Sequence, residues 1–289
     1  EKGSSYVISY RYSFTGVAQS VGINVGTAAT PFYQDLSFKV SSGTSKLGKF
    51  TLFGLGGKSN IDFLHTKIDS TDLFADPSTD SYFTSDIGLV GLKHFKRVGE
   101  KSYFSTVLGA TYAASQFLLD TLNKNDIATT RVTENKTERI HYTLNTSFNS
   151  KINSRLFFKT GVIAEVMNLN LNYRNRRFSK DWEQIWDFND FTQLYQAYAH
   201  SKYNVNSKLT LNVGVHAQLL ALNQSLSVEP RAGLKYQINQ KSSLSAGYGL
   251  HSQMQPTDVY FYRSLNNDGT YDQSNKNLGF TKSHHLVLG

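Results

Sequence analysis

Between Lys208 and Met254 the chain alternates apolar and polar residues in three successive runs. Leu209, Leu211, Val213, Val215, Ala217, Leu219 and Ala221 hold one phase, against Thr210, Asn212, Gly214, His216 and Gln218. After Asn223-Gln224 the pattern restarts, with Leu226, Val228, Pro230, Ala232, Leu234 and Tyr236 opposing Ser225, Ser227, Glu229, Arg231, Gly233 and Lys235. A third run follows Ile238-Asn239-Gln240-Lys241-Ser242. It sets Leu244, Ala246, Tyr248, Leu250 and Met254 against Ser243, Ser245, Gly247, Gly249, His251 and Gln253. A period of two predicts β-strands, because successive side chains leave opposite faces of a pleated strand. Soluble strands usually run about five or six residues, whereas a tilted strand crossing a bilayer needs roughly nine to eleven. All three runs reach the longer class. Alternation alone suits a sandwich as well as a membrane barrel.

The rest of the chain reads in the same way. A first strand covers Tyr6 to Phe14, and a Gly/Ala/Thr-rich connection runs from Gly16 to Pro31. Leu36, Phe38 and Val40 mark a second strand, and Phe50–Gly57 a third that is apolar on both faces. Lys58 to Ser81 reads as an acidic loop, and the fourth strand runs to about His94. Tyr103–Leu118 is a strand of ambiguous facing, followed by a polar loop from Leu119 to Asn135. Ile140–Phe148 is a clean sixth strand. In the seventh, Leu156, Phe158, Val162, Ala164 and Val166 share a phase that Leu169, Leu171 and Tyr173 do not, which predicts a bulge. A long loop from Arg174 to Asp190 carries both tryptophans, and an eighth strand covers Phe191–Tyr203. Beyond Met254 a polar loop runs to about Phe280, and a last strand starts near Thr281.

About a dozen strands result, and their connections alternate between short and long. Ser42–Gly48, Phe95–Lys101, Lys151–Ser154, Asn204–Lys208 and Ile238–Ser242 are short and rich in Asn, Ser and Lys; the intervening ones are long, apart from Asn223-Gln224. Outer-membrane barrels sort short turns to the periplasm and longer loops outward, while a sandwich has no reason to. The pattern therefore predicts an all-β, transmembrane antiparallel β-barrel.

Composition agrees. Only 39% of the 289 residues are hydrophobic, and no apolar run approaches the length of a membrane helix. Four Pro suit long strands, and the absence of Cys suits a sheet held by its own ladder. The formal charge of +8 comes from scattered Lys and Arg with no dense basic run, which argues against nucleic acid as a partner. The first residue is Glu1 and the last, Gly289, falls within a strand pattern, so the expectation is an internal portion of a longer protein.

Several strings carry a resemblance. Ser9-Tyr10-Arg11-Tyr12-Ser13, Tyr33-Gln34-Asp35-Leu36-Ser37-Phe38-Lys39, Phe53-Gly54-Leu55-Gly56-Gly57, Ser59-Asn60-Ile61-Asp62-Phe63, Glu229-Pro230-Arg231-Ala232-Gly233-Leu234-Lys235-Tyr236, Gly247–Gln253 and Asn275–His285 are similar to the barrel of TonB-dependent outer-membrane receptors, in particular the branch common in Bacteroidota. The resemblance implies a 22-stranded barrel of which residues 1–289 form a portion, with the plug domain and remaining strands outside the chain. It implies nutrient uptake across the outer membrane of a Gram-negative bacterium. Implied partners are outer-membrane lipid, a TonB complex engaged through the plug, and a surface lipoprotein. The alternative is a passive or scaffold barrel subunit of an outer-membrane assembly. The nutrient stays open among siderophore, glycan, peptide and cobalamin.

Candidate chemistry is sparse. Trp182 and Trp186 with Arg176 and Arg177, near Arg174 and Phe188, make an outer-loop ligand site from stacking rings and anion-clamping guanidinium groups. The competing reading is an aromatic girdle. Glu229, Arg231, Lys235 and His251 should point into the lumen, where the charged groups pair with each other or with a plug. His284 and His285 are adjacent in a strand and face opposite ways, so they cannot chelate one ion. Asp69, Asp72, Asp76 and Asp80 lack a calcium-loop spacing, and Asn267-Asp268-Gly269 reads as a turn. No nucleophile elbow or metalloprotease motif occurs, so neither an enzyme nor a cofactor is expected.

Overall fold

The computed structural model describes residues 3–13, 31–68, 76–123 and 129–289. Most of the connection read from Gly16 to Pro31 lies outside these residues, as do Asp69 and Asp72. The strands in order are β1 (Ser5–Tyr12), β2 (Phe32–Ser41), β3 (Lys49–Phe63), β4 (Thr79–Val98), β5 (Ser102–Leu122), β6 (Thr129–Lys151), β7 (Leu156–Asn175), β8 (Glu183–Asn204), β9 (Leu209–Leu220), β10 (Ser225–Gln237) and β11 (Ser243–Gln253). A single helical turn, α1 (Thr257–Tyr260), and two short strands, β12 (Ser264–Leu265) and β13 (Tyr271–Asp272), precede β14 (Thr281–Leu288). Strands β1 to β11 and then β14 form one 12-stranded antiparallel sheet, each bonded to its sequence neighbour; β12 and β13 pair separately. The edges are β1 and β14, and among the described residues the ladder does not close on itself.

Paired residues of an antiparallel ladder share a face. Following the registers across the sheet assigns every side chain to one of two surfaces. On one lie Tyr6, Ile8 and Tyr10, then Leu36, Phe38 and Val40, then Leu52, Val90, Leu92 and Leu108. The belt continues through Leu144, Ala164, Val215, Val228, Leu234, Tyr248 and Leu286. Many of these are open to solvent, such as Leu108 at 53% and Leu286 at 74%, which a water-soluble surface would not sustain over twelve strands. Aromatic rings rim the belt. Phe104 and Phe148, with centroids 4.9 Å apart, Phe158, Tyr203 and Tyr236 lie toward the short turns, and Tyr112, Tyr142 and Tyr195 toward the other end. Tyr195 and Tyr203 are separated by roughly 26 Å of strand at about 3.3 Å per residue. That is close to the apolar height of about 25 Å found in outer-membrane barrels.

The short turns have a shared chemistry. The side-chain oxygens of Asn153, Asn206 and Asn239 each accept two amides, from Arg155 and Leu156, Lys208 and Leu209, and Lys241 and Ser242. An asparagine that bonds the backbone two residues on replaces a turn's missing ladder bonds. Gln224, at φ 57°, closes the β9–β10 turn in the left-handed region.

The strands run well beyond the sequence boundaries. Most of Leu119–Asn135 and much of Arg174–Asp190, read as loops, continue β5, β6, β7 and β8, so the β7–β8 connection shrinks to residues 176–182. The third and fourth strands likewise take residues from both ends of the acidic loop. Loop length therefore sorts less sharply than the pattern suggested; strand overhang at the long-loop end replaces it. The bulge expected between Val166 and Leu169 is absent, since β7 stays in register with β6 throughout. Register shifts fall instead between Leu119 and Asp120 and between Tyr173 and Arg174.

The phase slip has a different cause, in that the strand's greasy side changes face. Val162 and Val166 are exposed on the belt, whereas Met167, Leu169 and Leu171 are 2%, 0% and 1% exposed on the opposite face. Asn168, Asn170 and Asn172 take over the belt side. Past the aromatic rim the belt side turns polar, and the other side is covered by Tyr260 and Phe261 of the β11–β14 connection, each 1% exposed. Leu194, Leu220, Phe188 and Trp186 complete this small core, with Phe188 and Phe261 stacked at 3.6 Å.

Candidate functional site

The chemistry gathers on the face opposite the belt. Across the β9–β10 ladder His216 lies opposite Glu229, and Gln218 opposite Ser227. Glu229 is 1% exposed and fully engaged. The Ser252 hydroxyl and the Gln218 amide donate to its Oε1 at 2.6 and 2.8 Å. Arg231 donates to Oε2 at 2.7 Å, and His216 Nδ1 stands 3.2 Å from the same oxygen. A buried carboxylate is tolerated when its lone pairs are filled this completely. Ser252 reaches Glu229 because the β10–β11 ladder begins only at Arg231, next to Pro230, which has no N–H to contribute.

The four lumen-facing positions read from the sequence share this face. Glu229 and Arg231 pair with one another. Lys235, opposite Thr210 and Ser245, has no carboxylate partner among the described residues. His251 lies edge-on to His285 at 4.9 Å, while His284 sits on the belt side, 2.9 Å from the Tyr248 hydroxyl. The two adjacent histidines thus face opposite ways, and no group of metal-ligating side chains occurs among the described residues. Sequence reading missed His216, Gln218 and Ser252. Counting outward from a two-residue Asn223-Gln224 turn pairs Gln218 with Glu229. The turn spans four residues, 221–224, and it is this that sets His216 opposite Glu229, while Ser252 needed the local parting of β10 and β11.

The outer-loop candidates divide. Trp182 is flanked by the guanidinium groups of Arg174 and Arg176, at 4.5 and 4.7 Å from its ring. Both arginines have other duties: Arg174 donates to Glu134 at 2.9 Å and Arg176 to the Arg131 carbonyl at 2.8 Å. Trp186 is turned into the core beside Tyr173, 5.1 Å away, and Arg177 lies by the exposed Phe178. The structure does not bring Trp182, Trp186, Arg176 and Arg177 to a common site, and the girdle positions belong to Tyr and Phe rather than Trp. Of the acidic loop, Asp80 accepts the amide and ring Nδ1 of His65 at 2.8 and 2.7 Å, and Asp76 accepts the Ser78 amide and hydroxyl.

The β11–β14 connection is tied down at several points. Arg139 meets Asp258 at 3.6 Å, and Arg263 meets Asp187 at 3.2 Å while lying 4.2 Å from the Tyr271 ring. Asn223 donates to the carbonyls of Lys276 and Leu278. This segment roofs part of the polar face at the long-loop end.

No protein-family model matches the chain, and no curated protein matches it. Among solved structures it is similar to the siderophore receptor PirA from Acinetobacter baumannii, with a TM-score of 0.60 and 13% identity, over 99% of this chain and 45% of the receptor. The chain therefore spans less than half the length of that protein. Weaker matches include the translocator domain of the autotransporter NalP from Neisseria meningitidis, TM-score 0.36, 10% identity, 86% of this chain and 80% of that one. Another is a mutant of the TodX monoaromatic hydrocarbon channel, TM-score 0.39, 11% identity, 88% and 75%; at such scores neither bears on the fold. The first correspondence shows that the 12-stranded antiparallel sheet shares its fold with part of an outer-membrane β-barrel.

Proposed function

We propose that the chain forms part of the wall of a TonB-dependent outer-membrane receptor that takes up a scarce nutrient, of the kind found in Bacteroidota. The observation that carries this reading is the division of the sheet's two faces: an apolar belt rimmed by aromatics against a polar face built around Glu229. A lipid exterior and a wet interior require that division. The fold shared with a siderophore receptor over nearly the whole chain supports it. The belt meets outer-membrane lipid, TonB acts through a plug seated against the polar face, and a surface lipoprotein is a further partner. The chain has no catalytic role in this reading.

Deleting the gene tests it. Growth under limitation of iron, a glycan, a peptide or cobalamin should fall in one condition only, and deleting TonB should reproduce the defect. The protein should fractionate with the outer membrane and require detergent for extraction. A passive pore predicts instead that purified protein in liposomes passes small solutes without an energy source and that TonB loss changes nothing.

A further inference from the structure

Below Glu229, toward the short turns, the polar face changes character. Lys39, Lys93, Lys159, Lys202, Arg231 and Lys235 all lie on it. Between the row containing Lys159 and the turns, the described strands place no Asp or Glu on this face. Of the six cations, only Arg231 has a carboxylate partner among the described residues. On this face Asp35, paired with Arg11, and Glu165 and Glu229 all lie on the long-loop side of that row. A wall of one sign with low-dielectric backing focuses potential and concentrates counter-ions.

That potential has a cavity to act in. Lys159 pairs with His200, His200 with Gly214, and Gly214 with Arg231, so one row crosses β7 to β10 with a glycine between two cationic or imidazole positions. The missing side chain at Gly214 opens a cavity of about 500 Å³ lined by Phe157, Lys159, Tyr198, His200, His216 and Arg231. Its size falls within the range of roughly 300–1,000 Å³ typical of small-molecule sites. Lys159 Nζ lies 5.4 Å from the centre of the Tyr198 ring, which gives the ammonium a defined position. Phe157 and the Tyr198 ring supply apolar walls. The His216 ring meets Gln196 Oε1 at 3.1 Å through Nε2, and its Nδ1 lies 3.2 Å from Glu229 Oε2 outside hydrogen-bond geometry.

We propose that this cavity binds a small anionic solute, its carboxylate or phosphate groups seated between Lys159, His200 and Arg231. The inference rests on the reading above, in which the polar face lines the interior of a membrane barrel. It adds a site on the short-turn side of the wall, away from the outer loops. A pocket of this size with aromatic walls favours a small solute over an acidic polypeptide strand, which would need a continuous track of contacts.

Isothermal titration of the full-length protein in detergent, at low salt, with citrate, with inorganic phosphate and with a polyglutamate peptide tests this. Saturable binding of citrate or phosphate is expected, weakened about tenfold by Lys159→Gln and by His200→Gln, the scale of one lost charge contact near 1.4 kcal/mol. Neither substitution removes an ion pair present in the fold. Lys58→Gln, on the belt side, should leave binding unchanged. The proposal is overturned if neither small anion binds at millimolar concentration, if both cavity variants bind like the parent, or if only polyglutamate binds. Such a failure in protein that still partitions into the outer membrane removes the anion site and leaves the receptor reading intact. A chain that stays in solution without detergent removes the receptor reading instead.

Discussion

Glu229 illustrates how one residue's environment exceeds its sequence context. The pattern placed it on the polar face beside Arg231, and the fold added Ser252, Gln218 and His216, so that the carboxylate is fully occupied at 1% exposure. Glu229→Ala should lower stability by about 3 kcal/mol, the low end for a broken buried ion pair, because Arg231 is partly solvated and keeps some hydration. Glu229→Gln should lose less, since its side-chain oxygen still accepts from Ser252 or Gln218. Urea unfolding of the detergent-solubilised protein measures both. Asp268 is a second local case. The Thr270 hydroxyl and then the Thr270 amide hold its carboxyl below the usual carboxylate range. A depressed carboxylate stabilises the fold above its unfolded pKa, and that contribution is lost as pH falls through the lowered value. The protection factor of the Thr270 amide, its exchange rate relative to the intrinsic rate at each pH, should hold at neutral pH and fall only in acid below the ordinary Asp range.

At the scale of elements, the seventh strand shows why boundaries and facing were harder to read than existence. The change of phase between Val166 and Leu169 is plain in the sequence, but two physical events produce such a change: an inserted residue or a change in which face of a straight strand is covered. Only the β11–β14 connection, whose Tyr260 and Phe261 lie within a stretch that reads as polar loop, shows that the second applies. Leu169→Ala should cost roughly 2–5 kcal/mol, as for other fully buried leucines, and should free the connection as judged by limited proteolysis near Arg263. Gly161 tests the lower part of the same strand. A β-carbon there would stand 2.7 Å from both the Thr146 carbonyl and the Tyr198 hydroxyl. Gly161→Ala should therefore destabilise by about 1–3 kcal/mol through overpacking, read from the same urea titration.

For the whole molecule, the assignment of faces is the claim to test. Val215 sits mid-belt, and three residues earlier in β9 Asn212 lies on the polar face. Val215→Arg should cost about 2–4 kcal/mol in phospholipid vesicles, and Asn212→Arg should be nearly neutral. If Asn212→Arg is the costly change and Val215→Arg is tolerated, lipid does not contact the belt.

The period of two, the strand number near a dozen, the belt residues of β9 to β11 and the asparagine turns were all determined by local order along the chain, because facing alternates with each residue and turn chemistry is encoded within a few positions. Tertiary structure alone decided how far β5 to β8 run past the belt, which loop residues form a core, and that Lys159, His200 and Arg231 meet around one cavity. Those outcomes depend on which strand lies beside which and in what register, and a register is a relation between distant segments that no single stretch of sequence contains.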